Sequence, residues 1–499
     1  MEFEPKVPPS STADRTSFAY ISARDRWPVI LTGVIDDVHR ASLKSTDPDM
    51  TAEGKKIVSE VAALKYELQH DRQIAPIPDD GEADVAMYNE ELKARGSPKW
   101  FDVSWLYSEC YLYRRLSTIF NLSTNWKSHD PFFRQKLSTF KQSRSAVLEL
   151  AARYQSLIQT LSSPDDTSTL SADKKRDADA VLFAEMCDIC LWGNATDLSL
   201  LTNLSYADIQ ALQGAAARKA AEANIVANDL PAAFEALLAA KRARDAAGDS
   251  SDSATASGRV DIVLDNAGFE LYVDLVLAGY LIAAGLADTV VLHPKSVPWF
   301  VSDVVPADFA ALLGALAEPR GFFEAKDEDD HSEQGQRAPP PLADEEVKAL
   351  EGVFEHWRML HGQGKLVIRP NRFWTLPGSF WRMREGGDRL GWGREVRKEL
   401  QSSDLVIFKG DLNYRKLTAD VLWDPTTPFA DAIGPLGPGS GIRTLALRTC
   451  KADVVVGLPP GKDEELRAME GGGGNSGARK WAWSGKWAVV QFCDGEKSS

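Results

Sequence analysis

The sequence predicts an α/β protein in two parts: a mostly helical amino-terminal domain, residues 1–255, and an α/β domain, residues 256–499. Three observations carry that prediction. Apolar residues in the first half recur at helical spacing. A Ser/Asp/Gly run, GDSSDSATASG at 248–258, then breaks the pattern and reads as a linker. Beyond it, short β-branched runs alternate with helical stretches, as in a largely parallel sheet covered on both faces. The length, 499 residues, suits two or three domains at roughly 150 residues each.

The elements follow in order. Residues 51–70 (TAEGKKIVSEVAALKYELQH) space their apolar side chains three and four apart and form the first expected helix. Residues 104–120 do the same with heavier aromatics, and 142–161 and 176–192 continue it. Residues 205–247 are Ala-rich, a composition of high helix propensity. Val260 to Leu264 is the first strand, ending at Asp265-Asn266, and a helix is expected over 269–285. That helix holds the longest charge-free apolar stretch, Leu275–Ala287, which is shorter than the ~20 residues that span a bilayer and reads as buried. Further strands are expected at 289–293, 366–369, 405–409, 443–448, 453–457 and 487–492. Residues 318–346, acidic and Pro-rich, and 461–480, with GGGG at 471–474, read as disordered insertions.

Composition narrows the function. A net charge of −15 with no basic block argues against nucleic acid or an anionic membrane as partner. The amino terminus, MEFEPKVPPS, lacks the charged and apolar regions of a secretory signal. Five cysteines, few and odd in number, suit a reducing compartment. The expected location is cytoplasmic, with the nucleus left open. Cys187 and Cys190 form a lone C-x-x-C without a second pair for zinc and read as core thiols.

The chemistry gathers at strand ends. Asp265-Asn266, Asp303 in PWFVSD, and Asp411-x-Asn413 offer oxygen donors only, a set suited to a hard divalent ion. A single Asp in such a place more often caps a helix or makes a turn; three on expected strand ends shift the balance toward a site. Arg415, Lys416, Arg448 and Lys451 lie nearby and could balance a phosphate. Gly457 to Lys462 (GLPPGK) is one residue short of a P-loop and is followed by Asp463. No G-x-S-x-G elbow or H-E-x-x-H pair occurs. VLDNAGF has no second Asp two residues on, so an aspartyl-phosphate route is not indicated.

LDNAGFELYVDL (264–275), PWFVSD (298–303), FKGDLNYRKL (408–417) and RTCK (448–451) together resemble the metal-dependent damage-control phosphatases. The eukaryotic branch of that family is also described as an acidic-residue (protein-glutamate) carboxyl methyltransferase. RWPVILTGVIDDVHR (26–40), WLYSECYLYRRL (105–116), LWGNATDLS (191–199), FWTLP (373–377) and SGKWAVVQFCDG (484–495) extend the resemblance along nearly the whole chain. It implies an α/β/α three-layer, Rossmann-like second domain. It implies one metal, Mn²⁺, Co²⁺, Ni²⁺ or Mg²⁺, on Asp265, Asn266 and Asp303. Glu270 is then expected near the substrate, the Asp411, Leu412, Asn413, Tyr414 and Arg415 segment to wrap the sugar phosphate, and Lys451 to bind it. Asp265, Asp303 and Asp411 are the expected catalytic carboxylates. The implied substrates are small sugar phosphates such as fructose 1-phosphate and fructose 6-phosphate. An S-adenosylmethionine-dependent methyltransferase is the alternative, and a non-catalytic sugar-phosphate sensor a third reading.

Overall fold

The strand runs Val260-Asp-Ile-Val263 and Leu405-Val-Ile-Phe408 carry no alternation of polar and apolar residues, as expected of strands buried on both faces. The computed structural model describes residues 4–162, 172–193, 223–247, 258–326 and 339–496. Among these it contains one sheet of seven strands: β1 (Ile225–Asn228), β2 (Arg259–Val263), β3 (Thr289–His293), β4 (Leu366–Ile368), β5 (Leu405–Lys409), β6 (Thr444–Thr449) and β7 (Ala488–Cys493). The order is β1-β7-β6-β5-β2-β3-β4. All neighbours are parallel except β6 and β7, so the sheet is mixed.

Successive side chains divide the core. Ile262, Ile407, Leu445 and Val490 face helices Arg144–Ser162, Ala172–Leu191, Phe269–Ala283 and Asp344–Gly362. Val263, Phe408, Ala446 and Val489 face the other layer, built from short helical turns around Phe373, Trp374 and Phe380 and from helix Trp392–Leu400. A separate aromatic core joins helices Trp27–Lys44, Pro48–Gln69 and Trp105–Asn121. It also takes in Trp299 and Leu412, so this helical bundle sits over the carboxyl ends of β3 and β5. Its helix Pro48–Gln69 begins where Asp47 accepts the backbone N–H of Asp49 at 2.9 Å.

Several expectations need correction. The chain boundary at 255 is not a core boundary, because Phe140, Tyr154, Leu182 and Phe234 belong to the same core as β2 and β5. Of the Ala-rich stretch, 205–222 lies outside the described residues; the rest holds a helix, Leu230–Ala247, and also β1, which β7 recruits as a parallel partner. Residues 453–457 form no strand; Val454, Val455 and Val456 are buried without a ladder partner. Residues 461–480 are ordered: helix Lys462–Ala468 is held by Asp463, which accepts from Trp481 Nε1 and Arg479 Nε. Of the 318–346 insertion, 319–323 is a short helix and 327–338 lies outside the described residues. The 248–257 part of the linker and 194–199 of LWGNATDLS lie outside them too. Cys187 and Cys190 are buried free thiols, and no helix among the described residues is long and apolar enough to cross a membrane.

The loop after β6 gives a pH-dependent contribution. Asp453 accepts the Phe18 N–H at 2.8 Å. Burial pushes its carboxyl up to about 7, against that hydrogen bond and Arg479. The folded state therefore holds a proton that the unfolded chain, near 3.8, gives up earlier. Stability from this group falls as pH rises from about 4 to 7, by at most about 1.4 kcal/mol per unit. Asp453→Asn keeps the acceptor and is expected to flatten the melting temperature across that range and raise it at pH 8. Parallel wild-type and variant curves would refute the assignment.

Candidate active site

β2 ends one residue before Leu264, and the next two positions are Asp265 and Asn266. The chain leaving β3 returns to them: Ala267 N–H donates to Ser302 O at 2.7 Å and Val304 N–H to Asp265 O at 2.9 Å. An isolated bridge pairs Asn266 with Asp303. That return requires Phe300 and Val301 at φ of 44° and 69°, the second an unfavourable left-handed conformation for a β-branched residue. Stacking of Phe300 on Tyr113, centroids 4.8 Å apart, helps hold the turn. Asp265, Asn266 and Asp303 are thus brought together by backbone geometry.

Their electrostatics leave a place for a cation. Asp265 and Asp303 are 8% and 2% exposed. Burial, then the carboxylates of Glu270 and Asp303, raises Asp265 far above the ordinary carboxyl range. Burial pushes Asp303 up to about 6, with Lys295 opposing. Lys295 Nζ lies 3.3 Å from Asp303 Oδ2 and donates to Leu264 O at 2.7 Å. Asn266 Nδ2 bridges Asp265 Oδ2 and Glu270 Oε2, each at 2.8 Å, and so supplies positive character between two carboxylates. Its Oδ1 accepts from Ser302 Oγ at 2.6 Å. Turning the amide over would aim Oδ1 at the carboxylates, and the serine hydroxyl can accept as well as donate. The donor set fits a hard divalent ion in this sense. No three His, Cys, Asp or Glu side chains among the described residues form a ready-made metal cluster, so an ion here would keep open positions for water or substrate.

Beside these groups lies a cavity of about 250 Å³, lined in part by Glu270, Gly410 and Lys451. A larger one, about 790 Å³, lies between helices Trp27–Lys44 and Phe133–Gln142 and contains none of the expected site residues. Lys409 Nζ, fully buried, donates to Asp274 Oδ1 at 2.7 Å and lies 3.3 Å from Glu270 Oε1, fixing that wall. Helix Gly410–Leu417 starts at the cavity with its amino end, where first-turn N–H groups lack helical partners and the dipole favours anions. Asp411 Oδ1 accepts from Arg448 Nε at 2.8 Å and from Lys451 N–H at 2.9 Å, which ties the two segments. Lys451 is exposed, and its charge acts on the Asp265 carboxyl, opposing the rise caused by burial.

The remaining residues of the DLNYR segment turn inward. Leu412 packs in the aromatic bundle core. Asn413 Nδ2 donates to Lys409 O at 2.7 Å and to Leu264 O at 3.1 Å. Tyr414 OH donates to Gln491 Oε1 at 2.8 Å. Arg415 pairs with Glu109 at 2.7 Å and Asp420 at 2.9 Å, its guanidinium 3.5 Å over Trp105. Their side chains hold the helix in place, and what it offers the cavity is backbone at Gly410. Sequence reasoning missed Lys295 and Lys409; a lysine closing or following an apolar strand was the only available signal.

Gly410 allows this approach. It has φ of 79°, and a Cβ there would lie 1.9 Å from Asp265 Oδ2. Gly410→Ala is expected to displace Asp265 and weaken Mn²⁺ binding at least about tenfold, the equivalent of about 1.4 kcal/mol, with helix content retained. Titration calorimetry with circular dichroism checks it; unchanged affinity would show that the contact is slack.

A mixed α/β sheet with acidic and amide groups beyond its strands, beside a small cavity with a cationic edge, suits an enzyme that handles phosphates. The profile of the damage-control phosphatase ARMT1-like domain matches residues 22–466, and the chain belongs to that family of phosphatases acting in metabolite damage control. It is 34% identical to damage-control phosphatase ARMT1 of Xenopus tropicalis, over 97% of this chain and 99% of that one. Identity is 32% to the Danio rerio protein of that name, over 99% and 98%, and 32% to the human one, over 97% and 98%. A DUF89 family protein from Pyrococcus horikoshii aligns over 92% of this chain and 96% of its own, at 14% identity and a TM-score of 0.33.

Proposed function

We propose that this protein hydrolyses small sugar phosphates, fructose 1-phosphate and fructose 6-phosphate among them, using a divalent ion held by Asp265, Asn266 Oδ1 and Asp303. The observation that carries the reading is the meeting of Asp265, Asn266 and Asp303, with the amide turned over to offer Oδ1, beside a cavity edged by Lys451 and a helix amino end. Mn²⁺, Co²⁺, Ni²⁺ and Mg²⁺ all suit an oxygen-only set with one amide. The chemistry supplied by such an ion is polarisation of a phosphate oxygen and relief of charge during transfer. Lys451 and the first-turn N–H groups at Gly410 bind the other phosphate oxygens. Glu270 accepts from sugar hydroxyls. Water attacks phosphorus in line with the departing sugar oxygen. Asp411, whose Oδ1 accepts from Arg448 and from the Lys451 N–H, is the carboxylate we assign to move the proton.

Methyl transfer from S-adenosylmethionine is the weaker reading. A nucleotide is admitted where a Gly-rich turn follows the first strand, and here Asp265 and Asn266 occupy that turn. The deciding experiment is phosphate release from a panel of sugar phosphates with Mn²⁺, then with excess chelator. Release that stops on chelation, and in Asp303→Ala, is expected. No release from any ester, with labelled S-adenosylmethionine still bound, would favour methyl transfer instead.

A further inference from the structure

The cavity's lining is of two kinds: polar or ionic at Glu270, Lys451 and the Gly410 backbone, and apolar at Leu191, Trp192 and Leu447. Leu191 and Trp192 come from the helical amino-terminal half, at the end of helix Ala172–Leu191, and not from the sheet that supplies the ionic groups. That helix end is fixed. Lys409 Nζ donates to the otherwise terminal carbonyl of Cys190 at 2.9 Å while pairing with Asp274 and Glu270. Cys190 Sγ lies 3.2 Å from Val273 O, and Trp192 N–H donates to Asp188 O at 2.9 Å. Gly193 lies against the next helix, with its Cβ position 3.0 Å from Val273 Cγ2 and 3.7 Å from Glu270 Cα. The wall is therefore anchored to the residue that holds the substrate-facing Glu270.

We infer that Trp192 is a specificity-determining residue, whose indole packs on the carbon face of the bound sugar while its phosphate lies beside Lys451. This rests on the sugar-phosphate reading above and deepens it. The size agrees: a cavity of about 250 Å³ has room for a small phosphorylated monosaccharide. The chemistry agrees too. A sugar phosphate carries its charge at one end and presents an apolar C–H face elsewhere, and an amphipathic ring suits that face. A purely ionic cavity would bind any phosphate ester equally.

The test compares two ligands in titration calorimetry on the full-length protein with Mn²⁺: inorganic phosphate, which has no carbon face for the indole, and fructose 1-phosphate, which has one. In Trp192→Ala, affinity for fructose 1-phosphate is expected to fall about tenfold and that for phosphate to stay within about twofold; tenfold corresponds to about 1.4 kcal/mol. Trp192→Phe, which keeps a ring, should recover most of the loss. In turnover Trp192→Ala should raise KM for fructose 1-phosphate with kcat held. Equal affinities of wild type and Trp192→Ala for fructose 1-phosphate would overturn the inference and leave the phosphatase reading standing. A parallel loss for both ligands would mean general damage to the cavity and would also overturn it. A wild type that binds phosphate but not fructose 1-phosphate would sink the sugar-phosphate reading and this inference together.

Discussion

Asp265→Asn should lose about 10³-fold or more in kcat for sugar-phosphate hydrolysis, about 4 kcal/mol of transition-state stabilisation. The substitution removes one of two charged donors from the proposed metal set while keeping its size. It also removes a repulsion. Asp265 is held beside Glu270 and Asp303 with little solvent, which raises its carboxyl far above the ordinary range. Ionising it in the ion-free protein at neutral pH is therefore costly, and the variant is expected to melt at the same temperature or higher than wild type without metal. Added Mn²⁺ should raise the melting temperature of wild type and leave that of the variant unmoved. This pairing separates loss of a ligand from loss of fold. An active variant with normal metal content, or one that melts lower and still responds to Mn²⁺, would refute the assignment.

Arg415→Ala should act on the fold. The guanidinium is the shared counter-charge of Glu109, from the helical bundle, and Asp420, from the loop after helix Gly410–Leu417. Both carboxylates are buried, with further bonds from Trp27 Nε1 to Glu109 and from Ser10 Oγ to Asp420. Removing the arginine leaves two buried negative charges, which costs about 3–5 kcal/mol. At this size, with an unfolding entropy of about 2.1 cal/mol/K per residue, that lowers the melting temperature by about 3–5 °C. Activity of the remaining folded protein should change far less than in Asp265→Asn. A phosphate-binding Arg415 predicts the opposite: raised KM at unchanged melting temperature. Thermal melts beside KM measurements distinguish the two.

Those two residues mark the limit of what the sequence discloses. β2, β3, β5 and helix Phe269–Ala283 were legible because their patterns are local, runs of β-branched residues and a long apolar stretch that need no partner to be recognised. Asp265 and Asn266 were legible because a polar residue that stops such a run marks a strand end; Asp303, expected at a strand end, lies instead in the turn beyond β3 that returns to them. β1 was not legible, since four residues in an Ala-rich stretch become a strand only when β7 lies alongside. Val454-Val-Val456 shows the converse, a run of strand formers that finds no ladder. Residues 461–480 looked disordered from their glycines, yet Asp463, Arg479 and Trp481 close on one another across some sixteen to eighteen positions.

By itself, then, the sequence determined an α/β protein of the damage-control phosphatase family and its inventory of strand-end carboxylates and neighbouring cations. Only the tertiary structure decided how those cations are used. Arg415 and Lys451 are both basic and both follow a strand, but one meets Glu109, 306 positions away, and the other faces the cavity. Lys295 and Lys409 acquire their roles in the same way, from acids carried in by other elements. The physical reason is range: strand and helix propensities act over a few residues, whereas the partner of a buried charge is set by which distant segments pack against it.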